Sequence, residues 1–185
     1  MAKVKYLEPE EVERLLSVMN TKSMIGIRNR CIAGLMLEAG LRISEALNLK
    51  QRDINIKDRR VEVLRGKGGA PRTVYWRSQT LSDLLERWKL VRPESDFLFC
   101  TIRGQGQGGP VSARSFEKTI KHYARKANVP DITPHSLRHT FATLHLRSGT
   151  NLRVLQEALG HKNLNTTAIY THVGTPDLQK ALRGY

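Results

Sequence analysis

Residues 54–75 read Ile54-Asn55-Ile56-Lys57-Asp58-Arg59-Arg60-Val61-Glu62-Val63-Leu64-Arg65-Gly66-Lys67-Gly68-Gly69-Ala70-Pro71-Arg72-Thr73-Val74-Tyr75. Three short pieces of it, Ile54-Asn55-Ile56, Val61-Glu62-Val63 and Thr73-Val74-Tyr75, alternate with the two-residue period of half-buried strands. Asp58-Arg59-Arg60 and the run from Gly66 to Pro71 supply turn residues between them. A small three-stranded antiparallel sheet is expected here, and the segments on both sides change to helical period.

Upstream, Val12, Leu15, Leu16 and Met19 repeat at helical spacing behind Pro9, which suits a first helical position. Ile27, Cys31, Ile32, Leu35 and Met36 predict a more apolar second helix, with Gly40 placed for a left-handed C-terminal cap. A short helix fits Ser44 to Leu49. Downstream, Leu81, Leu84, Leu85 and Trp88 mark a helix ended by Pro93, and Phe97-Leu98-Phe99 reads as a short buried extended piece. The run Gly104-Gln105-Gly106-Gln107-Gly108-Gly109-Pro110 is a low-complexity stretch, expected as a mobile loop. Ser112 can cap a helix carrying Phe116, Ile120, Tyr123, Ala124 and Ala127. Thr133-Pro134 opens the next, with Leu137, Phe141 and Leu144 as its stripe. Asn151 caps a helix with Leu152, Leu155 and Leu159 that Gly160 closes, and a last helix is expected over Leu164 to Val173. The fold class is therefore mainly α with one small antiparallel sheet (α+β), about eight helices in all.

The full chain has 185 residues, with 31 Lys and Arg against 17 Asp and Glu, a formal net charge of 31 − 17 = +14. Its length suits one domain with a real core. Because 39% of the residues are apolar and fall in periodic segments, the charge belongs to a folded domain and not to a basic tail. Such a field attracts polyanions, nucleic acid foremost. Cys31 and Cys100 form no Cys-x-x-Cys pair, so a disulfide framework or structural zinc is not expected and a reducing compartment, the cytoplasm, is the default. The longest apolar run, Cys31 to Leu37, is far short of the roughly 20 residues that cross a bilayer.

The histidines narrow the chemistry. His135 and His139 lie four apart on one helix, but the zinc-protease pattern needs Glu directly after the first, and Ser136 stands there. Gly66-Lys67-Gly68-Gly69 lacks the spacing of a phosphate loop and joins strand to strand. No metal and no cofactor is expected. His135 and Arg138, three apart in the first turns after Thr133-Pro134, sit where unpaired backbone N–H groups and the helix dipole favour a phosphate. Glu45 lies three residues after Arg42, so it can orient an arginine or sit on the surface as an ordinary carboxylate. Trp76 and Trp88 read as packing residues.

Together, Arg42 in Ala39-Gly40-Leu41-Arg42-Ile43-Ser44-Glu45, Lys67 in its sheet turn, His135-Ser136-Leu137-Arg138-His139, Leu159-Gly160-His161 and Thr166-Thr167-Ala168-Ile169-Tyr170-Thr171-His172 closely resemble the motifs of the tyrosine recombinase (phage integrase, Xer-like) catalytic domain. The resemblance runs from about Tyr6 to Val173. It implies that Tyr170 is the nucleophile that forms a 3′-phosphotyrosyl bond and releases a 5′-hydroxyl. Arg42 and Arg138 then stabilise the phosphate, and Lys67 is the general acid to the leaving oxygen. His135 acts as proton acceptor or phosphate donor, His161 is a second donor, and Glu45 and His172 support from behind.

On this reading residues 1–173 form the catalytic domain and 174–185 a tail that docks in cis or on a neighbouring protomer. The same reading expects the family's N-terminal core-binding domain to be absent. The partners implied are double-stranded DNA and, on synapsed DNA, three further copies in a homo-tetramer that is weakly associated or monomeric without DNA. The location implied is the cytoplasm, with the nucleoid. Two alternatives remain open at the level of sequence, a non-catalytic DNA-binding regulator of recombination sites and a type IB topoisomerase-like enzyme.

Overall fold

The computed structural model describes residues 6–64, 71–129 and 131–160. Within them the order is α1 (Pro9–Ser17), α2 (Met24–Glu38), α3 (Ile43–Asn48), a single 3-10 turn (Gln51–Asp53), β1 (Ile54–Asn55), β2 (Arg60–Val63), β3 (Arg72–Tyr75), α4 (Gln79–Val91), α5 (Ala113–Lys126), α6 (Pro134–Arg147) and α7 (Leu152–Leu159). The helix expected over Leu164 to Val173 and the tail after it lie outside the described residues. Among the described residues no helix is long and apolar enough to cross a membrane.

The strands pair antiparallel in the order β1-β2-β3, with Ile54 opposite Val61, Val61 opposite Val74 and Val63 opposite Arg72. Val61, Val63 and Val74 are buried, as the alternation requires, and Glu62 faces solvent. Helix α2 is buried on almost every side, from Cys31 to Leu37 without interruption, so other elements must surround it. It packs against α4 and α6. Trp76 and Trp88 are fully buried, and their indole N–H groups donate to Ser82 Oγ (3.0 Å) and to the Leu98 carbonyl (2.7 Å). Both serve packing, since a buried indole needs an acceptor and each has one. Cys31 and Cys100 are buried free thiols, and burial pushes the Cys31 thiol up.

Local chemistry sets the helix ends. Ser23, Ser78 and Ser112 accept from backbone N–H groups one turn on, and Asn151 accepts from Arg153 N. At α6 the Ser136 hydroxyl instead accepts from Thr133 N at 3.2 Å. Two segments gain their shape from distant partners. Leu98 N donates to the Leu49 carbonyl at 2.7 Å beside a Lys50–Phe97 bridge, which gives residues 97–99 their extended form. The glycine-rich stretch folds into tight turns tied to the preceding chain: Gly108 N donates to Thr101 O, Thr101 N to Gly109 O, and Ser95 Oγ to Gly108 O.

The start of the described chain is fastened to α6. Leu7 N donates to Thr140 Oγ1 (2.9 Å), while the Arg147 guanidinium reaches Glu8 Oε2 (2.7 Å) and the Tyr6 hydroxyl (2.6 Å). His139 packs edge-on against the Tyr6 ring.

Between α2 and α3 the chain turns at Gly40, whose φ of +64° is the left-handed conformation that favours glycine. A Cβ there would lie 2.6 Å from two ring carbons of Phe141, in a small apolar cluster that α6 and α7 share. Gly40→Ala is therefore expected to destabilise the fold by about 2–5 kcal/mol, combining left-handed strain with overpacking. Urea denaturation measures it, and a change within about 0.5 kcal/mol, the size of an ordinary surface substitution, would contradict the packing described.

Candidate active site

Arg42 stands at the N-cap of α3, and Glu45 one turn later reaches back to it twice. Glu45 Oε2 accepts from the Arg42 backbone N–H at 2.7 Å, and Oε1 accepts from its guanidinium Nη1 at 2.9 Å. The first is half of a capping box, and the second adds an ion pair to it. Arg72, first residue of β3, closes on the same carboxylate with both prongs of its fork, Nη1 to Oε1 at 2.9 Å and Nη2 to Oε2 at 2.8 Å. Arg138 arrives from α6 with Nη1 at 3.7 Å from Oε2. One carboxylate thus gathers three guanidiniums, a formal +3 against −1.

The same arginines hold the end of α7. Arg72 Nε donates to Ala158 O (2.7 Å), Arg138 Nη2 to Leu159 O (2.5 Å) and Arg42 Nη2 to Gly160 O (3.4 Å). The last carbonyls of a helix lack partners within it and carry the negative end of its dipole, so a cation on each of three consecutive carbonyls is favourable. Arg138 Nη1 also donates to Gly40 O at 2.7 Å. Gly160 is left-handed, with φ +62°, and a Cβ on it would fall 3.0 Å from Arg72 Nη1. Both glycine corners therefore touch the arginine cluster.

Exposure divides the labour. The side chains of Arg72, Glu45 and Arg138 are 6%, 9% and 10% exposed, whereas that of Arg42 is 35% exposed. Burial pushes the Glu45 carboxyl up, but the hydrogen bonds from Arg72 and from the Arg42 backbone outweigh it and hold it down at about 2. Burial also lowers Arg138, helped by the charge of Arg42 and opposed by Glu45, to about 10, so it stays protonated at neutral pH. Guanidinium forks gathered on one carboxylate, Arg42 the most exposed of them, are suited to an oxyanion such as a phosphodiester.

Of the residues singled out from the sequence, Arg42, Glu45 and Arg138 are brought together. Glu45 is no surface carboxylate: its side chain is 9% exposed and lies at the centre of the cluster. His135 is exposed in the first turn of α6, three residues ahead of the buried Arg138. Lys67, His161, Tyr170 and His172 lie outside the described residues. Two of them have sequence neighbours in the cluster: Arg72 follows Lys67 by five residues, and Gly160 immediately precedes His161. Sequence reasoning missed Arg72. The available signal was its place two residues before Val74, which puts a charged side chain on the buried face of a strand.

A family model for the phage integrase family matches residues 5–175. The chain belongs to this family. It is 38% identical over 178 residues to tyrosine recombinase XerA of Pyrococcus furiosus, a match covering 96% of this chain and 60% of that protein. With XerA of Thermococcus kodakarensis the identity is 42%, over 96% of this chain and 61% of the relative. With tyrosine recombinase XerD of Ralstonia nicotianae it is 37%, over 95% and 58%. The chain thus spans about three fifths of the length of these curated relatives. Among solved structures, that of XerA recombinase superposes with a TM-score of 0.77 at 29% identity, covering 97% of this chain and 65% of that one. The XerH site-specific recombinase, bound to its difH substrate in a pre-cleavage complex, gives 0.73 at 29% identity over 89% of this chain and 49% of that one. The mainly helical architecture with one small sheet is therefore a fold this family shares.

The depressed Glu45 carboxyl makes stability depend on acid. Its contribution is complete above the ordinary value of 4.5 and is lost as pH falls through about 2. On the order of 2 kcal/mol is at stake after allowance for solvent screening. The stability difference between wild type and Glu45→Gln, measured by urea unfolding, should shrink as pH falls from 4.5 to 2, and a constant difference would deny the carboxylate its ionised role.

Proposed function

We propose that the chain is the catalytic domain of a site-specific DNA recombinase that cuts and rejoins strands through a covalent 3′-phosphotyrosine. The observation that carries the reading is the arginine cluster around Glu45, because it brings the two family-motif arginines, Arg42 and Arg138, together. In the reaction the Tyr170 oxygen attacks the phosphorus and the bond from phosphorus to the 5′ oxygen breaks. That oxygen takes its proton from Lys67, and the phenol proton passes to a base at the site, with His135 assigned to this role. The freed 5′-hydroxyl of another strand then attacks the phosphotyrosine and releases Tyr170. A phenol near its reference pKa of ~10 is a weak nucleophile at neutral pH, so charge developing on the phosphate must be stabilised, and the guanidinium forks supply this. His161 adds a donor, and His172 supports the nucleophile's surroundings.

Double-stranded DNA is the partner this reading requires. The net charge of +14 favours it, and so does α5, which buries Phe116, Ile120 and Ala124 while exposing Arg114, Lys118, Arg125 and Lys126. Residues 1–173 are assigned to catalysis and 174–185 to a docking tail, with a homo-tetramer on synapsed DNA in the nucleoid as the working assembly.

Tyr170→Phe should abolish the covalent adduct on a nicked suicide substrate while DNA binding stays near wild type, as read on denaturing and native gels. An adduct that persists would transfer the nucleophile to another tyrosine, and a wild type that binds DNA without an adduct would make the chain a regulator. Arg42→Ala should slow single-turnover cleavage by on the order of 10²–10³, about 3–4 kcal/mol, as when one oxyanion donor is deleted. Arg138→Lys should also be clearly slowed, since an ammonium keeps the charge without the fork. Cleavage at the wild-type rate would remove the residue concerned from the phosphate.

A further inference from the structure

We infer that Arg72 is a positioning residue of the active site, acting through Glu45 to aim the Arg42 and Arg138 guanidiniums at the phosphate, a role that rests on the recombinase reading above. Arg72 differs from Arg42 in exposure, and from both Arg42 and Arg138 in bonding the carboxylate with two prongs. Its Nε, Nη1 and Nη2 are all spent inside the protein, on Ala158 O and on the two Glu45 oxygens, and its side chain is almost closed to solvent. Arg42, in contrast, is the most exposed of the three and holds its second acceptor, Gly160 O, only at 3.4 Å.

Removing Arg72 would leave Glu45 with one guanidinium prong and one backbone N–H, and free to rotate toward Arg138. Among the described residues, the groups that face the carboxylate are Arg42 from α3, Arg72 from β3 and Arg138 from α6, while α7 contributes backbone carbonyls to the arginines. Arg72 alone of these makes a two-pronged bond, which fixes the plane of the carboxylate and hence the direction in which each remaining lone pair points. The strand supplies rigidity behind it, because Arg72 is paired with Val63 in the sheet.

The experiment compares Arg72→Met, Arg72→Lys, Glu45→Gln and the double variant Glu45→Gln with Arg72→Met, after a thermal melt establishes which are folded. In single-turnover cleavage of a nicked suicide substrate, Arg72→Met should be slower by about 10²-fold, the usual effect of a misplacement near 1 Å. DNA affinity should be unchanged. Arg72→Lys keeps the charge and loses the fork, so it should also be slow, and it serves as the test if the methionine variant does not fold. Because Arg72 acts through Glu45, the double variant should cleave within about twofold of Glu45→Gln alone. Multiplying defects would mean that Arg72 merely stabilises the fold and would overturn the proposal.

A second reading needs no catalysis: ¹³C NMR of the Glu45 carboxyl should show its titration moving upward from about 2 in Arg72→Met. The Arg42 and Arg138 Nε–H signals should shift with it. An unmoved carboxyl with unmoved arginine signals would overturn the proposal whatever the cleavage result. A wild type that forms no adduct would sink the recombinase reading alone.

Discussion

The fork between Arg72 and Glu45, 2.8 and 2.9 Å at its two prongs, is the contact from which the rest of the site hangs, because without it three guanidiniums would face one another in a poorly solvated space. Two like charges about 4 Å apart repel by about 4 kcal/mol at the effective dielectric typical of such places. A buried ion pair is itself a doubtful source of net stability, since each ion must leave water. What the arrangement gains is direction. The carboxylate is held in plane, Arg42 is bonded to the carboxylate and Arg138 to two backbone carbonyls, and the charge that remains unneutralised is gathered before any ligand arrives.

The backbone has been shaped to permit this. Gly40 and Gly160 both adopt left-handed conformations, and each offers its carbonyl to one of the arginines while its missing Cβ leaves room for Phe141 or for Arg72 itself. The turn after α2 and the end of α7 are thus parts of the same arrangement as the side chains. Helix α2, buried without interruption from Cys31 to Leu37, leads directly into the first of these corners.

Much of this was legible from residue types in order. Pro9, Ser112, Asn151 and Gly160 mark helix ends through local hydrogen bonding and backbone preference, and the alternation at Val61 and Val74 marks strands, so short-range physics suffices for each. The illegible features all depend on partners far along the chain. Residues 97–99 are extended because Leu49 and Lys50 lie beside them. Glu45 could be read as surface or site until Arg72 and Arg138 closed over it, and the roles of His135 and Arg138 part because only one of the two points into the protein. Arg72 itself carries no motif, and its meaning comes from a carboxylate 27 residues away.

The fastening of Tyr6, Leu7 and Glu8 to α6 has a mechanical consequence. Leu7 is tied to Thr140 near the middle of that helix and Glu8 and Tyr6 to Arg147 at its end, so the two attachments lie about seven residues, or roughly 10 Å, apart along one rod. Tension on the chain ahead of Tyr6 is therefore delivered first to this rod, and with a moment arm that tends to tilt it. Arg138 rides on the same rod, two residues before the nearer attachment, so a tug at the beginning of the fold is felt where the charge is stored.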